Sequence, residues 1–290
     1  MALIEHTIFG KVDKVKIAID RIKMFDPITT GLMDEAYYVA YSGGKDSDAI
    51  RILCELSGVK FDLVHNLTTV DAPETVSYIR SILGIKITRP KYSMWELIVK
   101  KKIPPTRIIR YCCEYLKDHG GHDRFVITGV RWEESSIRRN NRNSLEILPK
   151  NLKNKIILNA DNDESRRLFE TCKMKGKRIL NPIVDWTTND VWEFLDYYGC
   201  KSNPLYYEGY NRIGCIGCPM GGKKQQKKEF ERWPKYKISY LKSFEKMLIA
   251  RENEKYQNYL WPDAEAVYNW WISDKPKLRI NEGQYELWEG

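Results

Sequence analysis

AYYVAYSGGKDSDAIRILCEL, residues 36–56, divides into three physical parts. AYYVAY is a short apolar run of the kind that forms a buried strand. SGG supplies a tight turn, because two glycines let the backbone bend sharply and approach a ligand closely. KDSDAIRILCEL then reads as a helix opening directly from the turn. A helix N-terminus presents free N–H groups and a partial positive charge to an anion. Ser42 and Ser47 add hydroxyl donors, Lys45 adds a full positive charge, and Asp46 suits a Mg2+ ion held beside phosphates. The GxxxxGK[ST] spacing of the Walker loop is absent. The stretch therefore reads as a phosphate loop of another type, made of Ser42, Gly43, Gly44, Lys45, Asp46 and Ser47.

The same alternation continues outward. KFDLVHNL (60–67) is a second strand, APETVSYIRSIL (72–83) a helix with Pro73 in its first turn, IKITRP (85–90) a third strand, and RFVITGV (124–130) a further buried one. Strands alternating with helices imply an α/β fold with a doubly wound parallel sheet. Before it, Val12, Val15, Ile19 and Ile22 recur at helical spacing, so residues 1–34 form an N-terminal helical segment. That apolar stripe would also suit a second copy in a homodimer. Residues 146–180, rich in Asn, Asp and Lys, break the rhythm and read as an insertion or lid. TTNDVWEFLDYYG (187–199) starts a helix: Thr187 and Asp190 form a capping box, and Gly199 suits its end. The nucleotide-binding domain is expected over 35–222, followed by a basic, Trp-rich region over 223–290. That region is helical to about residue 256, with a break at Pro234, and irregular beyond.

With 290 residues, 42% hydrophobic and 30% charged, the chain can bury a sizeable core. MALIEHTIFGKVDK lacks the apolar core of a signal peptide, and no apolar run has the length of a membrane span. A cytoplasmic protein with no membrane partner is expected. The formal charge of +9 is uneven: residues 89–110 hold seven Lys or Arg and one acid, and residues 223–255 hold eleven and five. Such clusters suit a nucleotide or a nucleic acid, or else form solvated helix faces.

Seven cysteines in such a protein point to thiol, metal or redox chemistry rather than a disulfide framework. Cys112 and Cys113 are adjacent, too close for an easy disulfide, and on a helix their side chains diverge by about 100°. Cys215 and Cys218 form a C-x-x-C in a Gly-rich turn, which alone suits a redox dithiol, half a zinc site or part of a cluster site. Diverging neighbours reach two irons of one cube more easily than they share one ion, which favours a four-thiolate cluster over zinc, with uncoordinated thiols as the remaining option. Cys54 sits at an apolar helix position and reads as core. Cys172 lies in the insertion beside Lys173 and Lys175, and neither it nor Cys200 receives a role.

SGGKDS resembles the pyrophosphatase loop of the adenine-nucleotide α-hydrolase superfamily, whose members cleave ATP between the α and β phosphates. Three further stretches resemble the phosphoadenosine phosphosulfate (PAPS) reductase family within it. HNLTTVDAPETVSYIR is similar to the family's second strand and following helix, which implies that Thr68 touches nucleotide. TGVRWEESSIRR is similar to its GxRxxxSxxR segment, which implies Gly129 and Arg131 at the nucleotide and Arg138 as a further catalytic arginine. NPIVDWTTNDVWEFLDYYGCKSNPLYYEGYNRIGCIGCPM is similar to its Trp–helix–Asn-Pro-Leu-Tyr–Gly-Tyr–Cys-x-x-Cys run, a stretch that folds back over the active site. The resemblance covers roughly 36–222 and implies a Rossmann-like fold. In the cluster-bearing branch a Cys-Cys pair and a later C-x-x-C bind a 4Fe–4S cluster, which implies Cys112, Cys113, Cys215 and Cys218 as ligands, close to the nucleotide.

Family reductases act through a C-terminal tail cysteine, whereas no cysteine follows Cys218 here. Lys45 is typical of relatives that handle ATP. The expectation is an ATP-dependent adenylating, sulfur-transferring enzyme with Lys45, Asp46, Arg131 and Arg138 as catalytic residues. It would use Mg2+, a sulfur donor protein and a nucleic-acid or small-molecule acceptor. The alternatives are a reductase of PAPS or adenosine phosphosulfate that lacks the tail, and a non-catalytic subunit that senses nucleotides.

Overall fold

The computed structural model describes residues 3–8, 10–118, 120–149, 156–158, 176–253 and 261–273. Its strands are β1 (Ile4–Thr7), β2 (Gly10–Asp13), β3 (Tyr37–Ala40), β4 (Phe61–Asn66), β5 (Lys86–Thr88), β6 (Phe125–Ile127), β7 (Leu145–Pro149), β8 (Ile156–Leu158) and β9 (Gly176–Leu180). Its helices are α1 (Lys14–Lys23), α2 (Lys45–Ser57), α3 (Pro73–Arg80), α4 (Met94–Lys101), α5 (Tyr111–Leu116), α6 (Ser136–Asn141), α7 (Thr188–Tyr197), α8 (Lys223–Arg232), α9 (Pro234–Asn253) and α10 (Ala264–Ile272). No described helix is long and apolar enough to cross a membrane. The chain divides into two compact units. The first comprises Met1–Asn66, Pro73–Arg89 and His119–Ile213, and the second Leu67–Ala72, Pro90–Asp118 and Gly214–Gly290. The division runs across the stretch 35–222 that the sequence suggests as one domain.

The first unit is α/β. Its seven-stranded sheet has the order β5-β4-β3-β6-β9-β7-β8. The five strands from β5 to β9 run parallel, with Val39 opposite both Leu63 and Ile127. Tyr37 and Val39 face a large core cluster shared with α1, α2 and α7, while Tyr38, Val64 and Val126 face the other way. Both faces are thus covered, which is why YYVA and FVI are continuous apolar runs. Phe25 stacks on Phe125 at 5.3 Å, and the Tyr37 hydroxyl donates to Ile22 O at 2.7 Å.

Two local expectations change. Residues 1–13 hold a β1–β2 hairpin ahead of α1, whose first turn is capped by Asp13 accepting from Lys16 N. The stretch read as an insertion supplies strands at both ends. β9 lies beside β6 in the parallel run, and β7 and β8 extend that edge antiparallel. Its alternation is hidden because Lys177 and Arg178 precede Ile179 and Leu180, so a buried strand reads as polar. Cys172 lies outside the described residues. Of the apolar stripe at the N-terminus, Val15 and Ile22 are buried in the core, Ile19 packs against it half-buried, and Val12 is half-buried. The capping box at α7 forms as the spacing implies, with Asp190 N donating to Thr187 and Thr187 N to Asp190.

The second unit is helical. α9 packs on α4, with the Ser243 hydroxyl donating to Trp95 O at 2.9 Å and the Trp95 ring on edge to Tyr240 at 4.8 Å. Phe230, Tyr240, Phe244 and Trp271 form an aromatic core. The break at Pro234 separates α8 from α9. Residues 264–272, expected to be irregular, form α10, whose start is capped by Asp263 accepting from Ala266 N. Its Trp271 indole donates to Pro105 O at 2.7 Å, fixing the loop before α5.

Candidate nucleotide site and cysteine pocket

The SGGKDS loop leaves β3 and opens α2. Gly43 has φ +73, and a Cβ there would lie 2.8 Å from Ile79, so two constraints demand glycine. Gly44 is the N-cap. Its N–H donates to the Ser47 hydroxyl at 3.1 Å, which donates to Gly44 O at 2.7 Å. Ser47 is therefore committed to closing the turn. Ser42 is exposed, with its hydroxyl 3.3 Å from that of Ser47.

Lys45 is only 7% exposed, and its ammonium donates to Asp46 Oδ2 at 3.0 Å. The other Asp46 oxygen accepts from Arg131 Nε at 2.7 Å. Arg131, 2% exposed, spreads its remaining donors over Glu133, the Trp186 carbonyl and the Thr188 hydroxyl. Thr188 also donates to Glu133, which holds that carboxyl below its ordinary range. Two cations thus flank the Asp46 carboxylate at the start of α2, where the helix itself favours an anion, and Glu133 balances the second charge, that of Arg131. Both Asp46 oxygens already accept from cations, so here Asp46 orients Lys45 and Arg131. Gly129, expected at the nucleotide, has a packing role as well: a Cβ there would come within 2.9 Å of the Asp46 backbone oxygen. Arg138 lies on α6 and pairs with Glu134, which also accepts from Arg131 N.

Two residues that support the loop, Asn203 and Tyr206, are present in the sequence only as members of longer motifs. Tyr206 accepts from Lys45 N at 3.0 Å. Asn203, fully buried, donates to Gly43 O at 3.0 Å and to Thr75 Oγ1 at 3.1 Å. The NPLYYEGY resemblance is the signal that marks Asn203 and Tyr206. Behind the loop, Asp48 is buried and accepts from the Tyr41 hydroxyl at 2.5 Å. Burial pushes its carboxyl up to about 6.

The four paired cysteines meet in the second unit. Cys112, Cys113, Cys215 and Cys218 line one pocket with Thr68, Lys117, Gly217 and Tyr240. Three distant chain segments build it. Cys215 bridges Asp71 in an isolated antiparallel β-pair, and Ile216 N donates to Val70 O at 2.8 Å. Gly217 has φ +76, and a Cβ would fall 2.6 Å from the Phe230 ring, so the second x of the C-x-x-C must be glycine. Glu229 accepts from Gly217 N at 2.7 Å, and Tyr240 donates to Ile216 O at 3.0 Å. The adjacent Cys112 thiol and the Arg110 guanidinium, 3.4 Å from the Cys113 sulfur, hold Cys113 below the ordinary thiol range, while Cys112 rises beside it. Burial raises Cys215 against the opposing pull of Lys117. Thr68, expected at the nucleotide, belongs to this pocket: its hydroxyl donates to Asp71 at 2.7 Å and accepts from Cys215 at 3.4 Å.

Among the described residues, no group of three or more His, Cys, Asp or Glu is arranged to hold a single metal ion. The donor set nevertheless fits an iron–sulfur cluster: four thiols on one pocket, one already favouring the thiolate, with Arg110 and Lys117 to offset negative charge. Cys54 is fully buried in the first unit's core.

Residues 36–220 match the phosphoadenosine phosphosulfate reductase domain. The chain belongs to that family. Among its relatives, an uncharacterized protein of Methanocaldococcus jannaschii is 29% identical over 216 residues, 68% of this chain and 40% of that protein. An adenosine 5'-phosphosulfate reductase of Burkholderia cepacia is 34% identical over 64 residues, 22% of this chain and 26% of the reductase. The chain spans less than half the length of the curated relatives it matches. A solved PAPS reductase of Candida auris in a phosphate complex is 16% identical with a TM-score of 0.44, covering 68% of this chain and 87% of that one.

Proposed function

We propose that this family member binds ATP at the SGGKDS loop, adenylates an acceptor and passes it to sulfur. The buried Lys45 ammonium, fixed by Asp46 at the opening of α2, carries this reading. A held cation at that point suits a β-phosphate, where charge develops as pyrophosphate departs. An acceptor oxygen bonds to the α-phosphorus, the bond to the α–β bridging oxygen breaks, and pyrophosphate leaves with the electron pair. Mg2+ would share that charge. A sulfide-level nucleophile from a donor protein then bonds to the activated acceptor atom, and the acceptor–oxygen bond breaks to release AMP.

Arg131 acts by holding Asp46, and through it Lys45, in place. Cys112, Cys113, Cys215 and Cys218 would hold a 4Fe–4S cluster, which would supply a site that binds sulfur. The acceptor class that suits the basic chain is a nucleic acid. The named adenosine 5'-phosphosulfate reductases among the relatives favour a second reading, reduction of a sulfonucleotide at the same loop. Anaerobically purified protein incubated separately with labelled ATP and with labelled PAPS or adenosine phosphosulfate tests both. Pyrophosphate supports adenylation, sulfite supports reduction, and neither product leaves a nucleotide-sensing subunit.

A further inference from the structure

Apart from Arg89, the two basic clusters, far apart in sequence, fall in the same unit. Among the described residues of the second unit there are 17 Lys or Arg against 10 Asp or Glu. The described residues of the first unit have 20 of each. The net positive charge of the described chain therefore belongs to the second unit. α4 and α9 bring part of it to a single open groove of about 610 Å³. Half-buried Tyr92, Trp95 and Val99 lie in that groove, with exposed Lys100, Lys242 and Lys246.

Rings and cations lie side by side there, with Lys100 4.3 Å from the centre of the Tyr92 ring. Just outside the groove, Lys91 lies 5.5 Å from the same ring and Lys101 4.9 Å from that of Tyr115. Glu96, the one acid in the groove, is engaged in capping α4 through Ser93. A purely solvated lysine face has no reason to include half-exposed rings. A phosphodiester chain needs the cations, and an unpaired base needs an apolar π face. A duplex keeps its bases stacked internally and offers nothing to Tyr92 or Trp95. An acidic peptide satisfies the lysines and leaves the rings uncovered.

We infer that the α4–α9 groove is a docking surface for single-stranded nucleic acid. It rests on the adenylation reading only in making that strand the acceptor; the binding stands by itself. Full-length protein is titrated into labelled single-stranded oligodeoxythymidine, oligouridine, a DNA duplex and polyglutamate, between about 50 and 200 mM salt. One of the single strands should bind most tightly, and the DNA and RNA arms identify which. Lys242→Glu with Lys246→Glu should weaken it at least tenfold and reduce the salt slope by about one to two. Tyr92→Ala should weaken it roughly five- to a hundredfold with little change in slope. The control Lys224→Glu with Lys227→Glu makes the same charge change on α8, outside the groove. Equal loss in the control, tighter binding of duplex or polyglutamate, or no binding of either single strand would overturn the inference. Pyrophosphate release is followed separately; its absence with groove-dependent strand binding intact counts against adenylation and supports the docking surface.

Discussion

The phosphate loop and the cysteine pocket are built in opposite ways. The loop is contiguous: two glycines, a helix start and a lysine lie within residues 42–47, and partners such as Asn203, Tyr206 and Arg131 fix a shape the local sequence already dictates. The pocket is assembled. Its cysteines come from α5 and from the turn before α8, its threonine from the segment after β4, and its support from the rings of α8, α9 and α10. A contiguous site should lose affinity in graded steps when one side chain is removed. An assembled site should fail as a unit.

Cysteine substitution gives the largest expected effect. Protein made anaerobically should contain iron, labile sulfide and visible absorbance. Cys113→Ser or Cys215→Ser should abolish them, while Cys54→Ser should retain them. One zinc and no iron in the anaerobic protein would break the cluster side of the comparison. Lys45→Ala comes next. Removing one charge-assisted contact should cost about 1.5–3 kcal/mol, roughly ten- to a hundredfold in ATP affinity by calorimetry. AMP affinity should fall less, because AMP lacks a β-phosphate; equal losses would remove Lys45 from that position.

The pH dependence of Asp48 sharpens the loop side further. Its carboxyl is raised from 3.8 to about 6 in the folded chain, so the folded state binds the proton more tightly. Its stabilising contribution is full below about pH 4 and is lost as pH rises through about 6, amounting to at most about 3 kcal/mol. Asp48→Asn should flatten the urea-unfolding stability profile in that window. An unchanged slope would show that Asp48 ionises normally. The smallest expected effect belongs to Thr68→Val. It removes a hydroxyl between Asp71 and Cys215, and should lower thermal stability by about 1 kcal/mol and speed iron loss to a chelator. ATP affinity should stay within about twofold; a larger fall would return Thr68 to the nucleotide.

The comparison also explains what could be read from the residues. The loop was legible because its information is local: β3, the turn and α2 fall where Tyr37–Ser57 imply them. The cysteine set was legible through resemblance, since nothing in the spacing of 112 and 215 says that they share a pocket. β9 was missed because Lys177 and Arg178 mask its apolar half, and α10 because a short run of tryptophans reads as irregular packing. Thr68 was assigned by resemblance. It directly follows β4, where open α/β sheets touch ligands, but Asp71 turns its hydroxyl toward Cys215.

Arg131 has a consequence for anyone who redesigns this site. Its donors reach acceptors at positions 46, 133, 186 and 188, so the guanidinium is a hub that ties these four positions together. Lysine cannot replace such a fork. Mutational libraries that vary 46, 131, 133 and 188 one at a time would meet a wall of inactive variants, because the energies at a shared hub do not add. Altered specificity would have to be sought among combined changes at those four positions, screened as a set.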